Sequence, residues 1–191
     1  MTSFTFTLQP FEVRTGSRTF HRFGLRGEAG PFGQVEVEYP VVRDDDTDLF
    51  RAEVRGERVP TAGLTGRAYS YLPSLGSATL DVEGRPVALR RNWWALTRRA
   101  RALHLDTGTD RYTYTAVGTG KDFELRRAEA GILLRHRGWT RKRTTVEGRA
   151  SGPVNAVDVA LAVLLEGVDT RNLTFSKAVR WGPFRVMYTL S

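Results

Sequence analysis

Apolar and polar residues alternate along most of this chain. Phe4, Phe6 and Leu8 alternate with Thr5 and Thr7, and Val35, Val37 and Tyr39 alternate with Glu36 and Glu38. A period of two marks a strand with one buried face. Pro10 is expected to stop the first strand. The second runs from Arg18 to Arg26, with a slip near Gly24 that reads as a bulge. Leu49 to Val54 is a short strand, and Pro60 to Gly66 reads as a loop. Arg67 to Leu72, Ala78 to Val82 and Pro86 to Arg91 are strands, the last two joined at Glu83-Gly84-Arg85 as a hairpin. Arg90 to Asp106 reads as two strands around a basic turn at Arg98, Arg99 and Arg101. Arg111 to Val117 is rich in strand formers, and Lys121 to Arg127 turns Phe123 and Leu125 inward. Gly131 to Arg135 and Arg141 to Glu147 follow, and Ser151-Gly152-Pro153 breaks the sheet.

One stretch has a different pattern. From Ala156 to Leu165 the only polar residue is Asp158. A helix apolar on every side must be enclosed. Asn155 can cap its first turn, with Asp158 three residues on in a capping-box position. Gly167 is expected to end it in a left-handed conformation. The helix is too short to span a bilayer, which takes about 20 apolar residues.

About a dozen strands and one enclosed helix predict a mainly β fold. A long meandering sheet buries such a helix, and removes its own edges, by closing around it. The expectation is a single closed antiparallel β-barrel of about 12 strands around one buried hydrophobic helix near the C-terminus. One domain over residues 1–191 is expected, with strands over about 3–150, the helix over about 155–166 and a C-terminal extension over about 168–191. Within that extension, Leu173 to Phe175 and Phe184 to Leu190 read as further strands or as an ordered tail over the barrel mouth.

Charge sharpens the picture. Residues 1–89 carry a net charge of −2 and residues 90–191 one of +10. A basic half points to an anionic partner, or to arginines spread over the outer faces of strands. With no cysteine there is no disulfide frame and no thiolate chemistry. No secretory or lipidation motif is read at either end, and a cytoplasmic location, with peripheral membrane association open, is expected.

Catalytic signatures are weak, and the sequence leans against an enzyme. None of the three histidines sits in a nucleophile-elbow or zinc-helix motif, and His104, between Leu103 and Leu105, reads as an outward strand residue. Gly118-Thr-Gly-Lys121 lacks the spacing of a phosphate loop and reads as a hairpin turn. The acidic run Arg43 to Asp48 lacks the central glycine and terminal glutamate of a calcium loop and reads as a solvated turn. No cofactor and no metal are called for.

Two basic and aromatic groups are the candidate site. Arg135, Arg137, Arg141, Lys142 and Arg143 surround Trp139, and Arg90 and Arg91 precede Trp93 and Trp94. Guanidinium forks bind phosphate, and tryptophan stacks on a base or sits among headgroups. The expected anion-binding residues are Arg90, Arg91, Arg135, Arg137, Trp139, Arg141, Lys142 and Arg143. The competing reading makes the tryptophans core residues with arginines laid across them.

The helix segment Val157-Asp-Val-Ala-Leu-Ala-Val-Leu-Leu-Glu166 is similar to the Asp-x-Ala-Leu-rich helix that ends LURP-one-related chains. The hairpin Asp81 to Leu89 and the segment Tyr112 to Arg127 are similar in style. The chain thus resembles the tubby-like superfamily, which includes the tubby C-terminal domain, LURP-one-related proteins and phospholipid scramblases. That resemblance implies a twelve-stranded barrel threaded by a hydrophobic helix, and a non-enzymatic role in binding anionic phospholipid headgroups. It places no lipid-binding residue on a numbered position here. The residues after Gly167 depart from it as an addition. A nucleic-acid-binding protein using the same Arg/Trp-rich face, or a protein-interaction scaffold, is the alternative.

Overall fold

The computed structural model describes residues 3–14, 20–42, 49–69, 72–92, 95, 97, 99–119, 121–137, 144–170 and 173. In chain order the strands are β1 (Phe4–Arg14), β2 (Phe20–Glu28), β3 (Gln34–Val42), β4 (Leu49–Gly56), β5 (Ala62–Tyr69), β6 (Leu72–Pro73) and β7 (Thr79–Val82). They continue as β8 (Arg85–Arg90), β9 (Leu103–Asp106), β10 (Arg111–Val117), β11 (Asp122–Arg127), β12 (Ala130–Arg137) and β13 (Thr145–Ser151), and the helix α1 spans Ala156–Glu166.

The strand order is β4-β3-β2-β1-β13-β12-β11-β10-β9-β8-β7-β5, and β5 pairs back onto β4. Twelve strands therefore close into an antiparallel barrel, with the two-residue β6 attached to β5 outside the ring. This is the fold class that the alternation and the enclosed helix predict.

The helix fills the barrel. It contacts β3, β4 and β5 on one side and β11 and β12 on the other. In the ring, β4 and β11 stand opposite each other. Every residue from Asp158 to Leu165 is buried, packed against inward side chains such as Val37, Leu64, Tyr114, Leu125 and Leu134. The predicted cap is present. Asn155 Oδ1 accepts from the Asp158 amide at 2.9 Å, and Asp158 Oδ2 accepts from the Asn155 amide at 2.8 Å. Among the described residues no helix is long and apolar enough to cross a membrane.

Several expectations need correction. β1 does not stop at Pro10. It pairs with β13 through Leu8 and with β2 from Gln9, so the proline stands just past a change of partner. β2 has no bulge at Gly24, because its register with β1 and β3 is unbroken there. The glycine makes room for Phe11, whose ring atoms would stand 2.6 Å from a Cβ. Most of the expected loop Pro60 to Gly66 is strand β5, with Ala62, Gly63, Leu64 and Gly66 buried between neighbours. Gly167 has φ −81°, which is not left-handed. A Cβ there would lie 2.8 Å from Val37 Cγ2 and 3.2 Å from Ala52 Cβ, so close packing on β3 and β4 requires the glycine. The acidic run 43–48 and the expected strands after the helix lie outside the described residues, except Leu173, which is buried.

Antiparallel neighbours send the connections alternately to two ends of the barrel. At the end where α1 begins, the turns are short: 29–33, 57–61, 83–84, 107–110, 128–129 and 152–155. The hairpin expected at Glu83-Gly84-Arg85 is present with a two-residue turn, Arg85 already in β8, and Glu83 and Gly84 both have positive φ, 51° and 75°, as such a turn requires. The end that α1 reaches carries longer connections. There β8 leaves at Arg90 and β9 returns at Leu103, and β12 leaves at Arg137 and β13 returns at Thr145.

Candidate anion-binding end of the barrel

The described residues of both basic groups lie at the same end. Arg90 is the last residue of β8, exposed and opposite His104 in the register. Arg91 follows it and is half-buried. Burial lowers the Arg91 pKa to about 10, which still leaves a full positive charge at neutral pH. Arg135 and Arg137 lie on the outer face of β12 near its end, both exposed. Arg137 Nε donates to Glu147 Oε2 of β13 at 3.2 Å. Trp139, Arg141, Lys142 and Arg143 lie outside the described residues, as do Trp93, Trp94 and Arg98.

The fold brings the groups to one rim without making one pocket. β8 and β12 are four strands apart in the ring, about 19 Å along the wall at roughly 4.8 Å per strand. The hairpin between β10 and β11, with exposed Lys121, lies between them.

Charge on the barrel wall is also balanced locally, as it is at Arg137. Outward arginines there meet acids on the same strand or, for Arg51 on β4, across Gly63 of β5 on β7. Arg51 Nη1 lies 2.8 Å from Asp81 Oδ1, Arg55 Nη2 3.0 Å from Glu53 Oε2, and Arg126 Nε 2.9 Å from Glu124 Oε1. Such exposed pairs contribute little stability, but they cancel charge locally. The rim segments hold no acid. Arg90, Arg91, Arg98, Arg99 and Arg101 in residues 90–102, with Arg135, Arg137, Arg141, Lys142 and Arg143 in 135–143, make ten cations, although Arg101 is buried and so are both Nη atoms of Arg91. The whole chain has a net charge of +8, so the remainder nets −2.

A cleft lined by Tyr112, Leu125, Arg127, Ile132 and Asp158 has no room for a water molecule. His104 is exposed on β9, as expected, with Nδ1 3.5 Å from Thr113 Oγ1. No group of three or more His, Asp or Glu side chains among the described residues is placed to hold a metal ion.

Two interior polar pairs escape a reading by local pattern. Arg127 and His136 stand at inward positions of β11 and β12, two residues past Leu125 and Leu134. Arg127 forms a two-point pair with Asp158, Nε to Oδ1 at 2.8 Å and Nη2 to Oδ2 at 3.0 Å. His136 Nε2 lies 2.6 Å from Glu166 Oε2. The alternation itself was the available signal for both, since it carries each side chain into the barrel.

Comparison with family models, with curated proteins and with solved structures finds no match to this chain.

Proposed function

We propose that this protein is a non-enzymatic binding module that engages anionic phospholipid headgroups with one end of its barrel. The observation that carries the reading is the concentration of basic residues, with no acid, on two segments leaving the same rim, where Arg90, Arg135 and Arg137 are exposed. The closed barrel threaded by a hydrophobic helix is the architecture that the tubby-like resemblance implies, and it supports a role at the surface rather than in an interior cavity. Rim groups about 19 Å apart suit an extended charged surface better than one small ligand. A cation near an anionic bilayer is worth about 1 kcal/mol, so several together give salt-sensitive binding without insertion.

Co-flotation with neutral and anionic vesicles, at low and moderate salt, tests the reading. A variant with Arg135, Arg137, Arg141, Lys142 and Arg143 replaced by glutamine serves as control. Anionic-selective flotation that the variant loses is the expected result. Equal flotation with both vesicle types, or none, refutes the lipid reading. Binding to RNA or single-stranded DNA by the wild type, in the absence of flotation, then assigns the same face to nucleic acid.

A further inference from the structure

The helix brings two acids into the barrel, and each meets a wall residue of different chemistry. Asp158 in the first turn is held by Arg127, which also reaches Asp110 Oδ1 at 3.3 Å and the Pro153 carbonyl at 3.1 Å. An arginine stays charged across the whole range in which proteins fold. Glu166 in the last turn is held by His136 at 2.6 Å, with side chains 4% and 23% exposed respectively. Tyr114 Oη donates to the other carboxylate oxygen, Oε1, at 3.3 Å. The Phe123 ring stacks on Tyr114 with centroids 5.2 Å apart and meets His136 edge-on at 5.8 Å. The imidazole therefore has little freedom to turn away.

The position of Glu166 makes its partner matter. A carboxylate at a helix C-terminus opposes the helix dipole. Once His136 is neutral, a buried negative charge there keeps a neutral imidazole contact and one tyrosine. The other groups facing His136 do not replace the lost charge. On β11, Asp122 is negative, and its Oδ1 accepts from the His136 amide at 3.4 Å. The Lys121 carbonyl lies near the ring, whose buried Nδ1 makes no regular hydrogen bond. The register partner on β13 is Val146, and Arg135 and Arg137 on β12 itself point outward.

We propose that His136 and Glu166 form a proton-dependent latch. With His136 protonated, the C-terminal turn of the helix is tied to β12, the strand that presents Arg135 and Arg137; loss of the proton releases that turn. The Arg127–Asp158 pair holds the opposite end in either state. The latch is a property of the free protein and does not depend on what the rim binds.

The electrostatics agree in sign. Burial by itself lowers the His136 pKa, but the hydrogen bond and charge of Glu166, with the Lys121 carbonyl and Asp122, outweigh it, and the net shift is upward from 6.5. A raised histidine pKa means that the stabilisation is complete below the unfolded value, about 6.5, and is lost as pH rises through the folded value.

NMR titration of the His136 ring, with amide protection factors along α1 from pH 5.5 to 9, tests the latch. His136 is expected to titrate above 6.5, and protection of Val163 to Gly167 is expected to fall at least tenfold over the same range. Ala160 to Ala162 should keep theirs. Titration below 6.5, or an equal loss along the whole helix, overturns the proposal. In Glu166→Gln the His136 pKa should drop relative to the wild type; an unchanged value overturns the proposal as well.

Discussion

Arg127 stands where the alternation of β11 otherwise selects apolar side chains, after Phe123 and Leu125. Its guanidinium has four polar contacts, two of them to an Asp158 side chain that is 4% exposed. Removing it leaves a buried carboxylate without its counter-charge, a loss that typically costs about 3–5 kcal/mol. The Asn155 amide still donates to Asp158, so Arg127→Ala is expected at the lower end, about 3 kcal/mol, read from the urea midpoint. Adding Asp158→Asn should recover part of that loss, because asparagine removes the stranded charge; a cycle with no coupling would contradict this account. Neither interior pair could be named from the sequence. Alternation places a side chain inside or outside, but it does not say which residue 30 positions away will face it.

At the scale of the element, α1 was legible because its signals agree. Capping residues, an apolar face on all sides and the length all point to one enclosed helix. Leu161, Leu164 and Leu165 have no exposed surface. Leu164→Ala is therefore expected to destabilise by about 2–5 kcal/mol, whereas Val157→Ala, at a half-buried position, should cost about 1 kcal/mol. Equal melting shifts for the two would mean that the helix lies against the barrel rather than inside it. The elements misjudged from sequence, the strand stop at Pro10 apart, share one cause. Gly24, Gly63, Gly66 and Gly167 looked like breaks or stops, yet each is a place where a neighbour comes too close for a Cβ. At Gly63 that neighbour is the Arg51 guanidinium, with Nη2 2.1 Å from where the Cβ would stand. A single sequence does not distinguish a glycine that bends the chain from one that admits a neighbour.

For the whole molecule, the ring order turns a list of arginines into a direction. The basic connections leave between β8 and β9 and between β12 and β13, on either side of the β10–β11 hairpin. The acidic run 43–48 joins β3 to β4, the strands opposite that hairpin. One end of the barrel is thus cationic over one arc, and its field favours an approach by that arc. The wall adds little, for two reasons. Arg51, Arg55, Arg111 and Arg126 are paired with acids, and those nearer the other end lie too deep. Arg126 is four residues down β11 from Asp122, about 13 Å, which exceeds a Debye length of about 10 Å at 0.1 M salt. Two triple variants with the same loss of charge separate end from sum. Replacing Arg90, Arg135 and Arg137 by glutamine should weaken partitioning onto anionic vesicles by about 3 kcal/mol, roughly a hundredfold. Replacing Arg111, Arg126 and Arg149 on the wall should weaken it less than about threefold, because those charges stay outside the screened layer. Sedimentation of both variants with vesicles at 0.1 M salt decides the matter. Equal losses would show that total charge, and not the end of the barrel that carries it, governs the attraction.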